Sequence, residues 1–205
     1  MKRKQMMEEL AGRIAAIRLD RTVRVAIDGV DASGKTMLAD ELVEPIQQLG
    51  RNVIRVGVDG FHRPRAERFR LGADSPEGFY HDTTDYPTVL REVLDPLGPG
   101  GNGRYRTATY DWQTETTVDS PQITAKPNSI LLFDGIFLCC GLNFVTTGIS
   151  ASSFLPTSMS RWPEPEHETA IFLALVMPPK TVIENASSQD NDSISSKPSQ
   201  NSSQM

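Results

Sequence analysis

Eight residues, Gly29-Val30-Asp31-Ala32-Ser33-Gly34-Lys35-Thr36, carry two glycines, a lysine and a threonine at the spacing G-x-x-x-x-G-K-[ST]. Each fixed position has a task in binding a polyphosphate. The glycines let the backbone curl so that successive N–H groups converge on one anion. Lys35 can reach the β- and γ-phosphates, and the Thr36 hydroxyl can ligate Mg²⁺. Gly29, Asp31, Ala32, Ser33, Gly34, Lys35 and Thr36 form the expected nucleotide-binding set. A plain Gly-rich turn would need neither the lysine nor the threonine.

Two acidic residues end apolar runs elsewhere in the chain. Asp134 closes Ile130-Leu131-Leu132-Phe133-Asp134, four apolar residues and a carboxylate. Such a strand beside the phosphate loop would bring the carboxylate near a Thr36-bound Mg²⁺. Taken alone, an apolar strand ending in Asp is common. Asp59 ends the run 52–58 and can accept a proton from a hydroxyl attacking a phosphoryl group. Its plainer reading is an Asp-Gly turn.

These residues need a scaffold, and the patterning supplies one. Residues 22–28 read as a buried strand, 35–49 as an amphipathic helix and 52–58 as a second strand. Gly50 falls where a helix C-terminal glycine belongs. A strand, helix and strand of these lengths imply a parallel crossover. Met7, Leu10, Ile14 and Ile17 predict an amphipathic helix over 7–18. The segment 63–87 is polar, and Pro87 opens a helix to about Leu94. Residues 98–103 form a Gly-rich turn, and 105–110 is expected to pair with 115–123. The runs 130–134 and 171–176 read as further strands. Strand ends of such a sheet gather the ligands.

The order of motifs resembles the uridine kinase family, and more broadly the group with phosphoribulokinase and bacterial-type pantothenate kinase. The likeness rests on the phosphate loop, Asp59-Gly60-Phe61-His62, the segment Phe79 to Tyr86, Tyr110-Asp111-Trp112 and Phe133-Asp134-Gly135-Ile136-Phe137. It covers about residues 10–138. It implies an α/β three-layer P-loop NTPase fold with a central, mainly parallel sheet and helices on both faces. It also implies ATP and Mg²⁺ as cofactors and transfer of the γ-phosphoryl group to the hydroxyl of a small-molecule acceptor, with a nucleoside such as uridine leading. By the same resemblance Asp59 is the general base, with Lys35 its catalytic partner, and Thr36 and Asp134 are the metal ligands. Tyr110 flanks the acceptor, and Asp82 or Asp85 binds its hydroxyls. His62, His81 and Arg104 are further pocket candidates, His81 being as well read as an exposed loop residue. Arg63, Arg65, Arg68 and Arg70 read as a solvated helix face or as phosphate contacts.

The pattern breaks after residue 138. Relatives continue with a short helix, a strand and a lid helix whose arginines close on the phosphates. Here 139–160 is an atypical Ser/Thr-rich insert, and no arginine follows Arg161. The kinase-like domain is read as 1–183, with a disordered tail over 184–205. The alternative reading is therefore a nucleotide-binding but catalytically weak, truncated kinase homologue that acts through a partner. No guanine-reading Asn-Lys-x-Asp is present to suggest a signalling GTPase.

Composition agrees with one domain of 205 residues and excludes several classes. A net charge of −5 offers no nucleic-acid partner, and no apolar stretch approaches a membrane span. Lys2, Arg3 and Lys4 are followed by no apolar region, so a cytoplasmic location is expected. Cys139 and Cys140 are adjacent and lack metal-ligand spacing. Relatives commonly self-associate, so the resemblance allows a homo-oligomer.

Overall fold

Four short apolar runs form one parallel sheet. They are β1 (Val23–Asp28), β2 (Asn52–Gly57), β7 (Ser129–Gly135) and β8 (Ala170–Ala174), in the order β2-β7-β1-β8. The computed structural model describes residues 3–138 and the backbone of 170–174. Ile27 pairs with Asp134, and Asp134 with Gly57, so the carboxyl ends of β1, β7 and β2 lie level. The crossover from β1 through α2 (Lys35–Gln48) to β2 passes over β7, which inserts between the two strands.

Strand alternation sends side chains to two layers. Val23, Val25, Ile27, Ile130 and Leu132 face one side, where α1 (Arg3–Ala16) supplies Leu10 and Ile14 and α2 supplies Leu38, Leu42 and Ile46. Ala26, Ile54, Val56, Leu131 and Phe133 face the other side and meet Val89, Val93, Leu94 and Leu97. Each fully buried Leu, Ile or Phe contributes roughly 1.5–3 kcal/mol. The expected three layers, with helices on both faces, are therefore present.

Between β2 and β7 the chain builds one wall of the carboxyl edge. A 3-10 turn (Val58–Phe61) leads into α3 (Arg65–Arg68), within the stretch where a solvated helix face was one reading, and α4 (Pro76–Asp82), where only a polar segment was expected. Next come α5 (Tyr86–Val89), a π turn (Leu90–Leu94) and α6 (Asp95–Leu97). This helical stretch starts before Pro87 because the Asp85 carboxylate accepts from the Thr88 backbone N–H at 3.2 Å. It ends at Leu97 rather than Leu94.

The expected hairpin of 105–110 with 115–123 is two separate pairs. β3 (Arg104–Tyr105) joins β6 (Ile123–Thr124), and β4 (Tyr110–Asp111) joins β5 (Thr116–Thr117). The intervening stretch packs on the 3-10 turn instead. Thr109 N–H donates to the Gly60 carbonyl at 2.8 Å, and a Cβ on Gly60 would stand 2.8 Å from the Thr107 carbonyl oxygen. The first helix spans 3–16 rather than 7–18, and the last strand, described over 170–174, begins one residue before the expected 171. The insert at 139–160 and the tail at 184–205 lie outside the described residues.

Arg51 ties the opposite end of the sheet together. Buried just before β2, it donates to the carbonyls of Asn128 at 2.9 Å, Ala15 at 2.8 Å and Ile17 at 2.6 Å. Burial, then the Arg18 charge, holds its pKa below the ordinary arginine value. Truncating it would leave the Asn128 carbonyl without this partner, while Arg18 still donates to the Ala15 and Ile17 carbonyls; an unpaired buried carbonyl costs about 1–3 kcal/mol. Arg51→Ala is expected to lower stability by about 2 kcal/mol, read as a reduced denaturant midpoint at unchanged m-value.

Candidate active site

The phosphate loop starts where β1 stops. The Gly29 N–H donates to the Asp28 carboxylate at 2.8 Å, and the Ser33 N–H to the Val30 carbonyl at 3.2 Å. Ala32 and Gly34 both take positive φ, 57° and 86°, which turns the intervening amides inward. Gly34 then caps α2, whose first N–H groups open onto the same space. Ser33 is buried with no hydrogen-bond partner for its hydroxyl. A phosphate oxygen would satisfy that group. Lys35 is half-buried, and its ammonium donates to the Val30 carbonyl at 2.8 Å, so it lies along the loop.

Thr36 and Asp134 meet directly. The threonine hydroxyl donates to Asp134 Oδ2 at 2.7 Å, which joins the start of α2 to the end of β7. One hydroxyl and one carboxylate suit Mg²⁺, which keeps waters and takes phosphate oxygens rather than a protein cage. Among the described residues no cluster of three His, Cys, Asp or Glu side chains forms such a cage. The donor set therefore fits a nucleotide-delivered Mg²⁺. A cation that sequence reasoning missed also reaches this pair: Arg55, from β2, donates to Asp134 Oδ1 at 2.6 Å and to Asp40 at 2.8 Å.

Asp59 sits in the 3-10 turn two residues beyond Gly57, which pairs with Asp134. Its side chain is 69% exposed, and Oδ1 lies 3.6 Å from His62 Nε2. The His62 ring is mostly buried, its Nδ1 has no partner, and Trp112 stands 6.1 Å away, ring to ring. Backbone bonds join this turn to the segment before α5. Arg63 N–H donates to Thr83 at 3.0 Å, and Asp85 N–H to Phe61 at 2.9 Å. Asp59, His62, Asp82 and Asp85 are thereby brought to one wall.

The acceptor candidates divide on closer view. The Asp85 carboxylate is engaged at the α5 N-terminus, accepting also from the Thr88 hydroxyl at 2.7 Å. Asp82 pairs with Arg70 at 3.1 Å. Tyr110 is only 9% exposed, and its hydroxyl donates to Glu115 at 2.9 Å. The exposed ring of that hairpin is Trp112, at 42%. His81 lies exposed on the last turn of α4, against Tyr80, rather than in a loop.

Arg104 is not brought to this site. Its partner Thr124 borders a hollow of about 500 Å³ with Asn52 and Ser129, the first residues of β2 and β7. That is the amino end of the sheet, and the phosphate loop is at the carboxyl end. The hairpin runs the height of the sheet, which sequence proximity to Tyr110 does not reveal.

Glu115 was missed, and it organises the wall. It takes a positive φ of 55° and accepts from Tyr110, from the Arg65 backbone N–H at 3.0 Å and from the Arg68 guanidinium. Burial pushes its pKa up, but these hydrogen bonds and the Arg68 charge outweigh it and hold the carboxyl below its usual range. Arg68 is thus a partner of the wall and not part of a solvated face. Arg63 and Arg70 pair with Glu67 and Asp82, and Arg65 lies over the Phe69 ring.

Burial lowers the His62 pKa below 6.5. The carboxylates of Asp59, Glu115 and Asp31 oppose the shift, and Arg68 adds to it. A folded state that resists protonation keeps this stability above pH 6.5 and loses it as pH falls, because the unfolded chain takes the proton first. The melting temperature is expected to fall from about pH 7 to about pH 5.5, and to fall less in His62→Gln. Glu115 and Asp111, whose pKa values are lowered, titrate below this window.

No family model matches the chain, and no curated protein matches it in sequence. Solved structures do match. A possible uridine kinase from Bacillus stearothermophilus aligns at TM-score 0.58 and 22% identity, over 67% of this chain and 73% of that one. A provisionally named fructose transport system kinase from Silicibacter aligns at TM-score 0.51 and 20% identity, over 67% and 65%. At such identities the likeness establishes the fold alone, the α/β fold that this chain shares with those two structures. Among the described residues no helix is long and apolar enough to cross a membrane.

Proposed function

We propose that this chain is an ATP-dependent small-molecule kinase that phosphorylates an acceptor hydroxyl, with a nucleoside such as uridine the leading acceptor. The observation that carries the reading is the position of Asp59. It stands exposed at the carboxyl edge, beyond the Gly57 that abuts Asp134, where Asp134 meets Thr36 of the phosphate loop.

In this reading the loop amides and Lys35 bind the β- and γ-phosphates of ATP. Thr36 and Asp134 would hold Mg²⁺, which when bound neutralises charge on the phosphate oxygens. Asp59 accepts the acceptor's hydroxyl proton as its oxygen bonds to the γ-phosphorus. The bond from that phosphorus to the β,γ-bridging oxygen breaks, and ADP leaves with the electron pair. His62, 3.6 Å from Asp59, and Trp112 wall the acceptor side, with Asp82, held by Arg70 at 3.1 Å, the remaining candidate for acceptor hydroxyls.

A second reading keeps nucleotide binding without efficient transfer, and one observation favours it: residues 139–205 carry a single arginine, Arg161. Arginines that close on the phosphates contribute about 10³–10⁵ in rate. ADP release measured with nucleosides, pantothenate and sugar phosphates separates the two. The kinase reading expects release that depends on one acceptor class. ATP binding with no acceptor-dependent release would leave the second reading.

A further inference from the structure

We infer that Arg55 is a fixed counter-charge that makes divalent-metal binding at Thr36 and Asp134 conditional on nucleotide. The inference rests on the reading that these two residues hold the metal. Arg55 rises from the middle of β2 and is tethered three ways. Its Nε donates to Asp40 at 2.8 Å, and a terminal nitrogen donates both to Asp134 Oδ1 at 2.6 Å and to the Val56 carbonyl at 2.9 Å. Asp134 Oδ2 accepts from Thr36 at 2.7 Å. Both carboxylate oxygens are thereby engaged, one by a full positive charge.

The carboxylate has little room to leave this arrangement. Its side chain is 8% exposed, and Arg55 is 24% exposed. A Cβ on Gly57 would stand 2.9 Å from Asp134 Oδ1, so the β2 backbone closes on that oxygen. A hydrated divalent ion approaching Asp134 meets a neutralised ion pair in a low-dielectric setting, and the guanidinium repels it. The negative charge needed to hold the ion must come from elsewhere. The polyphosphate in the loop supplies it, and Oδ2, released from Thr36, faces that side. Metal binding therefore follows nucleotide binding. Removing the arginine would leave Asp134 and Asp40 without their shared partner, an attractive place for a bare divalent ion.

The test is Mn²⁺ titration of the full chain, with free Mn²⁺ read by electron paramagnetic resonance, with and without a non-hydrolysable ATP analogue. Wild type is expected to bind Mn²⁺ alone only weakly, and at least about 100-fold more tightly with the analogue. Arg55→Gln should gain at least about tenfold in nucleotide-free Mn²⁺ affinity, since a neutral side chain no longer repels the ion. Adding Asp134→Asn should abolish that gain, and Arg55→Lys, which keeps the charge, should stay as weak as wild type. Nucleotide-free binding by Arg55→Gln as weak as that of wild type overturns the inference. So does wild-type binding equally tight with and without the analogue, a result readable even if the variant fails to fold. If the analogue binds normally and either result appears, only the role of Arg55 falls. If wild type binds no analogue at all, the reading beneath it falls too.

Discussion

Lys35→Ala is expected to weaken ATP binding by at least about 100-fold, a loss of about 2.7 kcal/mol, and to remove turnover with it. The loop amides alone make a cradle of partial charges, with two positive-φ residues, Ala32 and Gly34, setting their direction. Lys35 adds the full positive charge within that loop. Its hydrogen bond within the chain, to the Val30 carbonyl, lies at the surface, so truncation should leave the fold and melting temperature essentially unchanged. Loss of affinity at unchanged stability, measured by calorimetry with ATP and Mg²⁺, is the expected pair of results. Unchanged affinity would mean that the loop does not bind a nucleotide as its spacing implies.

Asp59→Asn should divide the activity differently. Asparagine keeps the size of the side chain and cannot take a proton, so a general base is lost while the phosphate site stays intact. Removing such a group costs about 10²–10⁴ in rate. ATP affinity is expected within about twofold of wild type, because Asp59 lies in the 3-10 turn after β2 and not in the loop. The kcat for acceptor phosphorylation should fall by the full factor. Equal kcat for variant and wild type would remove Asp59 from the mechanism. The variant should also be stable, since the carboxylate is exposed and its ion-pair contact, with His62, spans 3.6 Å.

How much of this was legible in the sequence follows from how local each feature is. The phosphate loop lies within eight consecutive residues, and its strand and helix flank it directly, so pattern alone located it. Asp134 was legible because an apolar strand ending in a carboxylate is a local signal, and the structure pairs that strand with β1. Arg55 was missed although it left a trace: a charged residue in the middle of the otherwise apolar run Val53-Ile54-Arg55-Val56 asks what it pairs with. Its partners, Asp40 and Asp134, come from two other elements, and no spacing rule points to them.

Glu115 was hidden for a related reason. It is bonded to Arg65 and Arg68, about 50 residues earlier, through a loop fold that needs a left-handed residue at that position. Asp85 looked like a ligand in an acidic run, but its neighbour three residues on makes it a helix cap. Arg104 looked close to Tyr110, yet the Gly60 contact splits the hairpin and sends its two pairs to opposite ends of the sheet. Local chemistry was readable, and the long-range wall beside Asp59 was not.

The central claim is phosphoryl transfer to an acceptor hydroxyl, and product analysis tests it most directly. The purified chain is incubated with ATP, Mg²⁺ and uridine, and the products are separated and weighed by mass spectrometry. The expected result is phosphorylated uridine, or the phosphorylated form of another nucleoside in the panel, formed one for one with ADP and absent with Asp59→Asn. ATP that binds at Lys35 but leaves every acceptor unphosphorylated would contradict the account.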